Sequence, residues 1–175
     1  MNTEPIRLFL TADNIRYHID YYKLLKAKFS IYQKSIPELN DTNFKEIKNM
    51  GLNRQLAAEI RELFAEMKSH EIYFSSFTTQ QTVNASILKH YSSKEAFLYD
   101  VLCCSVNSKS NFVYVGMFKN KPVITDNAIE SFDLYDVKLA VDISEHAYFL
   151  DYRFDRERYI KNALTHLNLI KLDIK

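Results

Sequence analysis

Lys138-Leu-Ala-Val-Asp142-Ile-Ser-Glu145-His146-Ala-Tyr148-Phe-Leu-Asp-Tyr152-Arg153 is the stretch on which the fold turns. Residues 138–142 carry the apolar and β-branched side chains of a strand. That strand closes on a carboxylate, and a histidine follows four residues later. Two more strands lie upstream at 111–117 and 121–125, joined by a tight turn at Lys119-Asn120. Together the three predict a small antiparallel sheet.

Towards the N-terminus the period changes from two to about 3.6. Ile15, Ile19, Tyr22, Leu25, Phe29 and Tyr32 recur at three- and four-residue intervals, which predicts a long helix over 15–35. Thr11-Ala12-Asp13-Asn14 offers caps at its start, and Pro37 ends it. Asp41-Thr42 reads as the cap of a short helix through Ile47. Asn53 caps a second long one, with Leu56, Ile60, Leu63, Phe64 and Met67 on one face, running past His70 towards Phe77. The two long helices can pair as an antiparallel hairpin. Further helices read at 83–91, 94–106 and 156–169. The expected class is α+β: a long-helix hairpin over 1–78, then a small α+β domain over 79–175 with the three-stranded sheet, and the functional site between them.

Composition narrows the function. Of 175 residues, 47% are hydrophobic, enough for a core, and only two are glycine and three proline. The net charge of +1 has no basic run, so a nucleic-acid interface is not expected. The first residues do not read as a signal peptide, and no segment has the roughly 20 apolar residues that cross a bilayer. A soluble, cytoplasmic protein without a membrane partner is the expectation. Cys103 and Cys104 are neighbours and read as thiols of an apolar helix, because adjacent cysteines rarely join without strain and two fall short of a zinc cage.

Five histidines remain to be placed. His18 lies among apolar neighbours inside the first long helix, where an unmatched charge is costly. His70 lies in the second, where a hairpin can bring it opposite His18. Asp142 and His146 flank the end of the third strand. Three neutral imidazoles and a carboxylate suit iron, manganese or zinc. His90 and His166 read as structural.

The local sequences add to this. Asp142-Ile-Ser-Glu145-His146-Ala-Tyr148-Phe-Leu-Asp-Tyr152 resembles the Asp-x-Trp-Glu-His-Ala-Tyr-Tyr-x-x-Tyr signature of the iron/manganese superoxide dismutases. Arg153, Arg156, Tyr159 and Asn168 look like its continuation. Ile15-Arg-Tyr-His18 resembles the stretch that holds the family's first histidine ligand, and His70-Glu-Ile-Tyr-Phe74 its His-x-x-x-Trp segment. The 87–97 stretch, Ile87-Leu-Lys-His-Tyr91-Ser92-Ser-Lys-Glu-Ala-Phe97, resembles the Ile-x-x-x-Phe-Gly-Ser-x-x-x-Phe element.

The resemblance implies one iron or manganese ion per chain, held by His18, His70, Asp142 and His146 with a solvent molecule. The reaction implied is conversion of superoxide to dioxygen and hydrogen peroxide. It also implies a homodimer in which Glu145 reaches the partner's His146. Departures surround that ligand set. The family's second histidine and gateway tyrosine fall at Tyr22 and Lys26, and a cross-dimer His–Tyr pair becomes Tyr22–Phe149. Ser144 and Phe74 stand where tryptophans are usual, and the chain has none. Glu66 replaces a glutamine of many iron-type members and is expected to touch the site solvent. The manganese-type glutamine falls roughly near Asn127. Lys26 could steer the anion or lie on the surface. Two alternatives stay open: a catalytically silent homodimer with a structural metal such as zinc, and a different iron chemistry acting on peroxide or oxygen.

Overall fold

The computed structural model describes residues 2–40, 43–80 and 85–172. Helix α1 spans Ala12–Ser35, with Thr11 as N-cap accepting from the Asn14 amide. Helix α2 spans Arg54–Ser75, and Asn53 caps it by accepting from the Leu56 amide. The cross-contacts fix their direction. Tyr32 bonds Glu59, Phe29 meets Phe64, Tyr21 bonds Glu66 and His18 meets Phe74. Numbers fall along α1 as they rise along α2, so the hairpin is antiparallel. A short 3-10 turn, Ile47–Asn49, lies in the connection. The cap expected at Asp41-Thr42 lies outside the described residues.

After α2 come α3, Ala85–Leu88, and α4, Lys94–Asn107. The helix expected over 83–91 is shorter where it can be described. The amides of His90 and Tyr91 both reach back to the Ile87 carbonyl, which turns the chain, and Ser93 then caps α4. Strands β1, Phe112–Phe118, and β2, Lys121–Thr125, form the expected hairpin. Lys119 and Asn120 both take positive φ, 48° and 65°, as a two-residue turn requires. Helix α5, Ala128–Leu134, follows and leads into β3, Asp136–Asp142. The sheet order is β2-β1-β3, antiparallel throughout. The register slips between Val115 and Gly116, where a Cβ on Gly116 would sit 3.0 Å from the Tyr135 Cβ.

Helices α6, Glu145–Tyr152, and α7, Arg156–Thr165, complete the chain's long elements. The last helix stops four residues before the expected 169. His166 and Asn168 leave the helix to bond the end of α2: the His166 carbonyl accepts from Thr78 and the Asn168 amide donates to Ser76. A 3-10 turn, Leu169–Leu172, follows.

Helix α2 lies across β3, and α1 against α6. Ser76 Oγ accepts the Ala140 amide at 2.8 Å, and Asn14 Nδ2 donates to the Ala147 carbonyl at 2.9 Å. One apolar cluster runs from Ile15 and Leu25 through Ile60, Phe97, Val113 and Leu139 to Leu172. Helices and sheet therefore share a core, and the end of β3 is driven between α1 and α2. Among the described residues, no helix is long and apolar enough to cross a membrane.

Candidate metal centre

Four elements each deliver one polar side chain to the middle of this core. His18 projects from α1, His70 from α2, Asp142 from the last position of β3 and His146 from the first turn of α6. His18, His70 and Asp142 are fully buried, and the His146 side chain is 14% exposed. Asp142 Oδ2 lies 3.0 Å from His18 Nε2, 3.2 Å from His146 Nε2 and 3.5 Å from His70 Nε2. The His70 and His146 Nε2 atoms are 3.2 Å apart. The ligand atoms of all four lie within 4.8 Å of one another.

These atoms are turned towards a common point more than towards each other. Both ring nitrogens of His18 and Oδ2 of Asp142 are buried and, among the described residues, have no aligned hydrogen-bond partner. Leaving such atoms bare costs free energy. A cation bound at about 2.0–2.2 Å from each would sit inside a shell of this size and satisfy them together. Oxygen and imidazole donors without thiolate suit iron, manganese or zinc.

The protonation states agree. Burial lowers the His18 pKa against the pull of Asp142. Burial also carries His70 down to about 4, with its histidine neighbours adding to the effect. Burial opposes ionisation of Asp142, but its contacts with His146 and His18 outweigh this and hold the carboxyl well below the usual range. Near neutral pH His18 and His70 offer bare imidazole nitrogens and Asp142 a carboxylate, as metal ligands must. His70 is also oriented: its Nδ1–H donates to the Glu66 carbonyl at 2.8 Å, which leaves Nε2 free to coordinate.

The chain belongs to the iron/manganese superoxide dismutase family. The model of the iron/manganese superoxide dismutases' C-terminal domain matches residues 53–173, more than half of the chain. A curated relative, the chloroplastic iron superoxide dismutase 2 of Oryza sativa subsp. japonica, is 48% identical over 46 residues. That stretch is 26% of this chain and 18% of the relative's length.

Around the ligand set, this family member is built differently from its usual signature. Tyr22 is buried, but its hydroxyl donates to Glu71 Oε1 at 2.9 Å, and Glu71 in turn accepts from Lys68. Phe149 meets Phe154 edge-on within its own chain. Lys26 is exposed two turns from His18, its ammonium 5.7 Å above the Tyr22 ring. Asn127 is exposed and caps α5, accepting from the Glu130 amide, so its side chain serves the helix. Glu145 stands exposed in the first turn of α6. His90 reaches the hairpin turn at the Asn120 carbonyl, and His166 stacks on Phe9.

Glu66 does lie at the edge of the cluster, through a residue the sequence did not single out. Tyr21 stacks on the His146 ring, centroids 4.1 Å apart, and its hydroxyl donates to Glu66 Oε1 at 2.8 Å. Burial and the neighbouring Glu66 raise the Tyr21 pKa, so the phenol keeps its proton at neutral pH. Tyr21 and Glu66 both line a cleft of about 530 Å³ open to solvent. The only signal was spacing: positions three and four after His18 share its helix face, and either can turn to the site. Tyr73 and Phe74 pack on His18, and Phe112 on His70.

Proposed function

We propose that the chain is a cytoplasmic superoxide dismutase holding one iron or manganese ion on His18, His70, Asp142 and His146. The observation that carries this reading is the convergence of three Nε2 atoms and one buried, partnerless carboxylate oxygen on one point. A bound iron or manganese would supply the one-electron redox chemistry by which two superoxides and two protons become dioxygen and hydrogen peroxide.

The chain's own residues hold, shield and supply. Asp142 supplies the negative charge that offsets the cation, in a place water does not reach. Tyr73, Phe74 and Phe112 exclude solvent from the inner side of the rings. Tyr21 Oη keeps a proton at the rim with Glu66 Oε1 as its acceptor, which supports a part for this pair in proton delivery. Exposed Glu145 and Phe154 line one surface cleft with His146, and Phe154 is 90% exposed. They support a homodimer joined on that side, with Glu145 reaching towards the partner's His146.

The test is dismutation by protein loaded separately with iron and manganese, with occupancy measured in each sample. The expected result is turnover with one of them, lost in His146→Ala while the fold is kept. A second reading, a silent homodimer with a structural zinc, is favoured by the lack of tryptophan and by Tyr22 and Phe149 in place of the family's His–Tyr pair. Zinc has no redox cycle, so firm zinc selectivity with no turnover at full iron or manganese occupancy would establish it.

A further inference from the structure

Ser144 is the N-cap of α6, with the extended backbone that position requires (φ −75°, ψ 155°), yet its side chain makes no capping bond. A serine there ordinarily accepts from an amide of the first helical turn. Here the hydroxyl is turned away from the helix and into the ligand cluster. It donates to Asp142 Oδ1 in a short hydrogen bond, and the Ser144 amide donates to the same oxygen at 2.9 Å. Its oxygen also lies 2.9 Å from His146 Nδ1 and 3.3 Å from His146 Nε2.

The donor bookkeeping then leaves little freedom. Ionised Asp142 can only accept, so the single hydroxyl proton of Ser144 goes to Oδ1. With Oδ1 holding two donors, Oδ2 is the oxygen left bare, and it is the one facing the three imidazoles.

We propose that Ser144 is a positioning residue of the metal centre. Its hydroxyl and amide hold Asp142 Oδ1 and leave Oδ2 as the single carboxylate oxygen turned to the imidazoles. This role rests on the metal-centre reading above. It needs no second subunit, because the orienting hydroxyl is two residues from Asp142 in the same chain.

The experiment is titration of the full chain with Co²⁺, reading both affinity and the d–d absorption spectrum, for wild type, Ser144→Ala and Ser144→Thr. Thermal melts of the metal-free proteins confirm that each is folded. The wild type should bind one Co²⁺ per chain. Ser144→Ala should bind about 10- to 100-fold more weakly, the usual consequence of losing a ligand's orienting partner, with an altered spectrum. Ser144→Thr, which keeps the hydroxyl, should restore both. Wild-type affinity and spectrum in Ser144→Ala would overturn the role of Ser144 alone. Equal loss in folded Ala and Thr variants would also overturn it, since the hydroxyl would then be irrelevant. A wild-type protein that binds no Co²⁺ would overturn the metal centre itself, and this role with it.

Discussion

On its inner side the ligand cluster is walled by Tyr73, Phe74 and Phe112, all buried, with Tyr159 closing the floor by donating to the Asp142 carbonyl. On its outer side stand Tyr21 and Glu66, both half-buried, and beyond them solvent. The two sides have different tasks. The inner wall must exclude water and hold shape, so smaller rings can stand where tryptophans are usual if the volume is filled. The outer rim must supply donors and acceptors, and these can be delivered from another position on the same helix face. The lesson is that the four proposed ligands keep the pattern of the signature, while the residues around them depart from it.

The sharpest way to break this contrast is at the ligands. Asp142→Ala should abolish metal uptake altogether, measured by metal analysis after reconstitution. The next test concerns the inner side and pH. His70 is held down to about 4 in the folded protein, against 6.5 in a free chain. Between those values the unfolded chain binds a proton that the folded one refuses. The contribution is therefore present above pH 6.5 and lost as pH falls towards 4, by about 3 kcal/mol. Denaturant melts of the metal-free protein at pH 7 and pH 4.5 measure it, and His70→Phe should flatten the difference.

At the rim, smaller effects are expected. Tyr21→Phe keeps the ring on His146 but removes the hydroxyl from Glu66. It should keep full metal occupancy while turnover falls about 10-fold. Lys26→Ala should reduce turnover about two- to threefold at low ionic strength, with the difference vanishing in high salt, because an exposed charge acts only through a screened field. Stopped-flow decay of superoxide at two salt concentrations reads both variants.

Much of this was legible in the sequence, and the reasons are specific. The long helices declared themselves through sustained periodicity and their caps at Thr11 and Asn53. The hairpin was readable because Lys119-Asn120 sits between two strand-like runs. Helices α5 and α6 were not readable: each covers only two turns, and Ala147-Tyr148 buries adjacent positions with no helical period. The end of α7 is set by bonds to Ser76 and Thr78, far away in sequence. His18, His70, Asp142 and His146 could be named because a resemblance fixed their order and spacing. Tyr21 was missed for Tyr22 because three- and four-residue spacings are equivalent until the partner helix supplies Glu66 to one and Glu71 to the other.

The central claim is that these four side chains form one metal centre. Its most direct test is a crystal structure of iron- or manganese-loaded protein, with anomalous scattering recorded at the edge of the metal supplied. The account predicts a single strong peak per chain, about 2.0–2.2 Å from His18 Nε2, His70 Nε2, His146 Nε2 and Asp142 Oδ2. A peak held by other residues, or no peak among these four in fully loaded protein, would contradict it.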